Sequence, residues 1–504
     1  MVRLRKARSG PGFAMPLKER APAWRVLLTC LAALTVAGSA LAAADRAPEP
    51  AGDREAAARY LADAFDVRRL PMAAAVIVED GTARFVSHGR DASGRPASPD
   101  TPFYIGSMSK AFTAAAVLQL AERGRIVLDE PVIRYLPAFR LADPRASRIT
   151  VRQLMNQTSG MANSTYAEWR LPQPRSLEEA VARLRRAGLA HDPGSQFSYH
   201  NPNYTVLARL VEAVSGHPFA DYMHENIFAP LGMISTRAVD HVDETRDGAS
   251  PGHVYAFGHF FPVACPDFFV SGPGGVLTTP RDYSIWLQTQ LNDGLGPNGV
   301  QILTPGSIRT SHRPAPNSLE YGFGWNRRGD RISHSGGLPT YGAYAAMEGD
   351  DAVAVFVAVA PVTAPSREIA LGALELLHGK PGKPIGADHL VWIDYLLAGV
   401  TFVIWTACFV GMLRSRGWAS RWRVTSAARR GLALAPLTAV LVVILLGLPF
   451  LVSQVQSWSW IWLWFYVPVW TVALGSAAAA AAAVMAARVF QILASPLRAS
   501  SHGR

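Results

Sequence analysis

From Gly431 to Ala487 the chain carries no charged residue. With the run before it, this makes three apolar stretches toward the C-terminus, 390–413, 431–455 and 460–487. Each reaches or exceeds the roughly 20 residues that carry a helix across a bilayer core, so three transmembrane helices are predicted. The only ionisable side chain inside a span is Asp394, close to its end. Functional membrane sites place such groups at mid-depth, so the spans read as an anchor and not a transporter. Pro436, Pro449 and Pro468 are tolerated in such helices by neighbouring contacts.

Orientation follows from charge. Arg414, Arg416, Arg421, Arg423, Arg429 and Arg430 separate the first two stretches, while Gln454 to Ser459 is uncharged. Positively charged loops stay on the cytoplasmic side, which places the bulk of the chain outside and residues 488–504 as a cytoplasmic tail. Trp458, Trp460, Trp462, Trp464 and Tyr466 then belong to the outer interface, where amphipathic rings are favoured. The N-terminus agrees. Residues 1–44 read as a signal peptide: a basic region, an apolar run from Val26 to Ala44, and a small-residue cleavage site at Ala40-Leu41-Ala42. Translation starting at Met15 would give a more ordinary basic region, and an uncleaved anchor is the competing reading. Cys30 lies too early in the run, after Thr29, to be a lipoprotein site. The expected location is the inner (cytoplasmic) membrane, with the body in the periplasm or at the cell exterior and residues 45–54 as a linker.

The formal charge of +11 suggests nucleic acid until it is localised. Residues 1–25, 414–430 and 488–504 carry +6, +6 and +3, so the remainder is net acidic and has no basic face to follow phosphates. Of three cysteines, Cys30 and Cys408 lie in apolar runs, leaving Cys265 alone in the body as a packed thiol without an intradomain disulfide. His224-Glu225 lacks the second histidine of a zinc-protease helix. No metal or other cofactor is expected.

The chemistry lies in three motifs. Ser107-Met108-Ser109-Lys110 follows an extended apolar stretch, Phe103 to Gly106, and opens an amphipathic helix that runs to Gly124. A residue three positions on lies one helical turn away on the same face, so the Lys110 amine can reach the Ser107 hydroxyl. A hydroxyl is inert without such a base, and its own first-turn N–H can point at a developing oxyanion. Tyr199-His200-Asn201 sits in a Pro- and Asn-marked loop ahead of a helix starting near Thr205. His334-Ser335-Gly336-Gly337 follows a strand, Asp330 to Ser333, and carries glycines that let backbone approach a ligand. Each has a plainer reading: Ser107 as a helix cap with a solvated Lys110, Tyr199 as a core aromatic, Asn201 as a turn residue, His334 as a structural hydrogen-bonding group.

Together the motifs resemble the serine β-lactamase and penicillin-binding-protein superfamily, in its class C and serine D-peptidase branch. The second motif of that family reads Tyr-x-Asn here, and its third, usually Lys-Thr-Gly, reads His334-Ser335-Gly336. Leu154 to Gly160, Ile227 to Met233, Gly272 to Asp282 and Tyr321 to Trp325 agree with the same branch. The likeness covers about residues 55–378, within a domain set at 55–380. The layout of signal, outer hydrolase and three spans resembles the membrane-anchored D-amino-acid peptidases of the colibactin-maturation type, which remove an acyl prodrug motif from nonribosomal peptide products.

The resemblance implies an α+β fold, an antiparallel sheet flanked by helices plus a helical subdomain, with the active site between them. The hairpin at Ala73–Val78 and Arg84–His88, turned at Glu79-Asp80-Gly81, should join the strands Tyr344–Met347 and Ala352–Val359 in that sheet. Ser107 would attack a carbonyl to form an acyl-enzyme, with Lys110 and Tyr199 sharing the proton transfers; which is the base stays open, since coupled groups titrate as a unit. Asn201 orients the lysine or the substrate amide, and His334 and Ser335 line the substrate side. The backbone N–H groups of Ser107 and, by the family pattern, Gly337 form the oxyanion hole. Where the family has a charged lysine to hold a carboxylate, His334 is largely neutral at pH 7. A small-molecule or peptide amide without a required terminal carboxylate, such as an acylated D-amino acid, is therefore the expected substrate. The alternatives are an esterase, a β-lactamase or D-alanyl-D-alanine carboxypeptidase, and a penicillin or peptidoglycan sensor.

Overall fold

A hairpin of two neighbouring strands sets the architecture. Strands Met72–Glu79 (β1) and Thr82–Gly89 (β2) form a hairpin whose turn, Asp80-Gly81, takes positive φ at both residues, as a two-residue connection requires. In the computed structural model, which describes residues 54–168, 172–361, 365–386, 390–422, 426–443 and 460–493, β1 is buried on both faces. Met72, Ala74, Val76 and Val78 face the helical subdomain; Ala73, Ala75 and Ile77 face the opposite layer. That layer is made by helices from the two ends of the body, Arg54–Val67 (α1) and Ser366–Leu377, which approach so closely at Gly372 that a Cβ there would strike the Tyr60 ring.

The main sheet has six strands in the order β2-β1-β11-β10-β9-β8. Its later members are Asn326–Arg328 (β8), Arg331–Leu338 (β9), Tyr341–Glu348 (β10) and Asp351–Val357 (β11), all antiparallel, with Val76 opposite Ala354 and His334 opposite Ala345. A second small sheet orders Phe103–Tyr104 (β3), Val276–Thr278 (β7) and Arg237–Ala238 (β4), and His253–Ala256 (β5) pairs with His259–Pro262 (β6). The α+β architecture with a helical subdomain is as anticipated.

Several local expectations change. The serine motif opens with a 3-10 turn, Gly106–Met108, before helix Ser109–Glu122 (α2). This helix is not amphipathic: it is buried continuously from Ser109 to Leu120, because sheet and subdomain enclose it from all sides. Phe112 stacks on Trp286 with ring centroids 4.0 Å apart. The helix placed near Thr205 begins at Pro202 and runs to Ser215 (α3), so Asn201 is its capping residue and not part of a loop. Proline pre-sets the φ of a first helical turn, and here it starts the helix. His334 to Gly337 lie on β9 itself and do not follow a strand.

Of the three apolar stretches, two helices are long and apolar enough to cross a membrane, Leu390–Leu413 (α4) and Pro468–Leu493 (α5). The middle stretch is described only as part of helix Ala427–Val442. Residues 444–459, with the rest of that stretch and Trp458, lie outside the described residues, as do the signal peptide and all of the linker except Arg54. The third stretch is interrupted at Val467, before Pro468, and its helix continues beyond the expected end at 487 to Leu493. Helix α4 packs on α5, with Cys408 against the Ala480 carbonyl at 3.4 Å. Phe465 and Tyr466 are buried in the main core, whereas Trp464 is exposed.

Candidate active site

Backbone crowding brings the serine turn to the third motif. Ile105 N–H donates to the Val276 carbonyl at 3.1 Å, which fixes the end of β3, and Gly106 then turns with φ +48°. A Cβ on Gly106 would lie 2.5 Å from Gly337 N, and one on Gly336 would strike the Ile105 carbonyl. Glycine is required on both sides, and it sets the Ser107 turn directly against β9. A Cβ on Gly337 would stand 2.8 Å from the Pro361 ring and 3.4 Å from the Tyr466 hydroxyl, so the C-terminal region closes this end of the strand.

Ser107 is half-buried and Lys110 fully so. The Lys110 Nζ has three polar neighbours: Ser107 Oγ at 3.0 Å, Asn201 Oδ1 at 2.7 Å and the Pro273 carbonyl at 3.0 Å. Two of these are carbonyl oxygens, which only accept, and they take two N–H bonds. The third direction faces a hydroxyl that can donate or accept. Burial pulls Lys110 down to about 7, opposed by the charge of Glu168. A neutral Lys110 therefore presents its lone pair to Ser107.

Tyr199 sits beside this pair. Its ring centroid is 4.9 Å from Lys110 Nζ, and its phenol interacts with the Ser107 hydroxyl. Burial, together with the charge of Glu168, raises its pKa, against the opposing effect of Ser107, so it remains a phenol at neutral pH. Asn201 caps α3 without bonding the helix: no cap hydrogen bond comes from its side chain. Its oxygen goes to Lys110, and its Nδ2 donates to Glu168 Oε1 at 2.7 Å.

Sequence reasoning missed Glu168. Burial lifts its carboxyl to about 7, against the hydrogen bond from Asn201 and the charge of Lys110. It has no motif of its own and meets Asn201 across 33 residues of chain, so only the fold reveals it. With Tyr166, Leu184, Asn201, Phe269 and Pro273 it lines a pocket of about 40 Å³ beside the Ser107–Lys110–Asn201 row.

His334 is buried and makes structural bonds. Its Nδ1 lies 2.6 Å from the Ser335 carbonyl and so carries the proton, leaving Nε2 to accept from the Tyr321 hydroxyl at 3.1 Å. Burial, then the charge of Lys110, depresses its pKa to about 3, so the ring is neutral across the physiological range. Ser335, its neighbour on β9, is exposed. The flanking stretches act as supports. Gln157 Oε1 accepts from His200 N–H at 3.0 Å and from Asn203 Nδ2, holding the Tyr199–Asn201 turn. Gly324, at φ +77°, lies so close to the start of α2 that a Cβ would be 2.5 Å from Ala111 N.

A family model described as Beta-lactamase matches residues 54–378. The chain is 28% identical over 287 residues to Protein flp of Staphylococcus aureus (strain MRSA252), covering 55% of this chain and 56% of that one. It is also 28% identical over 270 residues to Penicillin-binding protein 4* of Bacillus subtilis (strain 168), covering 49% and 58%. The chain thus spans little more than half the length of these relatives. Its fold resembles the octameric penicillin-binding protein homologue from Pyrococcus abyssi, with TM-score 0.57 and 24% identity over 69% of this chain and 81% of that one. The chain belongs to the beta-lactamase family.

Proposed function

We propose, with that family as premise, that this protein is a membrane-anchored serine peptidase or amidase facing the exterior of the cell, acting through an acyl-enzyme on an acylated D-amino-acid substrate. The observation that carries the chemistry is the surroundings of Lys110: two carbonyl oxygens hold its N–H bonds and the remaining direction faces Ser107. Neutral Lys110 takes the Ser107 proton as the hydroxyl oxygen attacks the substrate carbonyl, giving a tetrahedral intermediate. The backbone N–H groups of Ser107 and Gly337 face its oxyanion; single donors of this kind are worth about 3 to 4 kcal/mol of barrier. Tyr199, a phenol at this pH, hands a proton to the leaving amine and regains one from Lys110. Water then attacks the acyl-enzyme, with Lys110 again as base, and releases the acid.

The neutral, inward-bonded His334 supports the substrate class. A ring that already bonds Ser335 and Tyr321 gives no cation for a carboxylate, which favours an amide flanked by neutral groups over a free peptide C-terminus. Two apolar helices and the arginine-bearing segment between the first and second stretches support anchoring with the body outside. Three spans, with the middle one over 431–455, remain part of this reading.

The test is a substrate panel on the full-length protein in detergent, with Ser107→Ala as control. Hydrolysis of N-acyl-D-amino-acid amides well above that of their L-counterparts and of cephalosporins is the expected result. Faster turnover of cephalosporins, or of peptides ending in D-alanine, would replace this reading with a β-lactamase or carboxypeptidase.

A further inference from the structure

We infer that Glu168 is a positioning residue for the base: it locks the Asn201 amide with its oxygen on Lys110, and its carboxylate holds the Lys110 amine in a state where it can both take and return a proton. The inference rests on the serine-hydrolase chemistry above and extends it to a residue outside the three motifs.

The geometry carries the first half. Asn201 has one acceptor and one donor end, and its neighbours are an amine at 2.7 Å from Oδ1 and a carboxyl at 2.7 Å from Nδ2. Flipping the amide would set N–H against amine and oxygen against carboxylate, losing both hydrogen bonds. Because the Asn201 side chain makes no cap bond to α3, these two contacts orient it. Lys110 then finds an acceptor fixed in place, and its free direction stays on Ser107.

Placement and charge carry the second half, since Lys110 and Glu168 bond the two ends of one Asn201 amide, each at 2.7 Å. Facing Lys110 are Ser107, Asn201 and the Pro273 carbonyl, the rings of Tyr199 at 4.9 Å and Tyr204 at 5.7 Å, and His334, which senses its charge. Tyr199, Tyr204 and Tyr321 are all pushed toward the phenol form, and His334 toward the neutral ring. The charge of Glu168 acts on Lys110 and opposes the effect of burial. An anion beside a buried amine offsets desolvation and keeps its pKa from falling further. A base serves best when its pKa lies near the working pH, since it must accept the proton from Ser107 and later give it up.

Glu168→Gln separates the two roles, because the glutamine oxygen still accepts from Asn201 Nδ2 while the charge is gone. The measurement is the rate of Ser107 labelling by a small fluorophosphonate between pH 5 and 9, on full-length protein in detergent, with thermal midpoints recorded alongside. The wild-type rate should rise with pH around a midpoint of about 7. In Glu168→Gln the midpoint should move down, so at pH 7, where part of the Glu168 charge is still present in wild type, the variant runs at a larger fraction of its own plateau. In Glu168→Ala, with Asn201 unlocked, the rate should fall at least about tenfold at every pH. A Glu168→Gln midpoint equal to wild type overturns the charge role, and a Glu168→Ala rate equal to wild type overturns the positioning role. Either result leaves the serine-hydrolase reading standing; absence of labelling in wild type at every pH would remove both.

Discussion

Two helices of this protein are both rich in apolar residues and stand in opposite surroundings. Helix α2 is buried from Ser109 to Leu120 by sheet and subdomain, whereas α4 buries only Asp394 and Cys408 and leaves Phe402, Val403, Phe409 and Leu413 exposed. Each carries one ionisable side chain of note. Lys110 is enclosed by carbonyl oxygens and a hydroxyl, and burial shifts it toward the neutral amine. Asp394 lies near the start of α4 and accepts the Phe257 N–H of the β5–β6 turn at 2.8 Å. Composition separates them in part, since α2 keeps Lys110 and Glu122 in 14 residues and α4 only Asp394 in 24. What differs is the solvent: protein around one, and for the other an apolar surface of the kind that lipid covers.

The sharpest way to break the contrast is Lys110→Met, which removes the one buried charged group from α2 and leaves only the exposed Glu122 at its end. Labelling of Ser107 by a fluorophosphonate should fall by about 10² to 10⁴, since the proposed general base is gone. The thermal midpoint should stay within about 5 °C, because the lost bonds to Asn201 and Pro273 are offset by no longer burying an amine. A large loss of stability with activity retained would make Lys110 a structural residue. Next comes Phe112→Ala, which opens a cavity against Trp286, Phe228 and Tyr283. The expected cost is about 3 to 5 kcal/mol, read as a lower midpoint in chemical or thermal unfolding. A cost below about 1 kcal/mol would show that the interior around α2 collapses freely.

Solution pH gives a smaller effect with a definite sign. In the proposed mechanism the neutral amine is the active form, and burial lowers its pKa from 10.5 to about 7, so acylation should be at its plateau well above pH 7. Below pH 7 it should fall about tenfold per unit as Lys110 becomes charged. A midpoint near 10 would mean that Lys110 is solvated when the protein works, and the contrast between its surroundings and water would vanish.

Features set by neighbours in sequence were legible without a structure. The β1–β2 hairpin follows from two short strand-forming runs around the Glu79-Asp80-Gly81 turn, and the Ser107–Lys110 pair from helical spacing. The joining of this hairpin with the later strands in one antiparallel sheet was anticipated, whereas the pairing of β1 with β11 is seen only in the fold. Errors arose where one residue serves two local rules: Pro202 marks loops as readily as first helical turns, so α3 was begun three residues late and Asn201 was put in a loop. The burial of α2 on every side is a tertiary fact, and its alanines and threonine gave no sign of it. Glu168 had no signal, because one carboxylate among 38 acidic residues becomes distinctive only when folding sets it against Asn201. His334 was legible as a departure from the family pattern, but its partners were not: the Tyr321 contact joins two stretches recognised separately.

The smallest effects test where α4 meets the body and where it meets lipid. Asp394→Ala removes an acceptor from the half-buried Phe257 N–H, at a local cost of about 1 kcal/mol. Hydrogen exchange at the Phe257 amide should quicken by about fivefold, with the global midpoint unchanged; unchanged exchange would mean that the turn is held without this contact. Phe402→Ala lies farther along α4, where the side chain is 73% exposed. It should alter unfolding by less than about 0.5 kcal/mol, in contrast to Phe112 in α2, since no protein cavity opens. A tryptophan at that position should nonetheless be quenched by brominated lipid in proteoliposomes, because the same exposure in a bilayer places the ring among acyl chains. Absence of quenching there would leave α4 apolar and uncovered, a state that costs too much to persist in water, and would require a protein partner along its face.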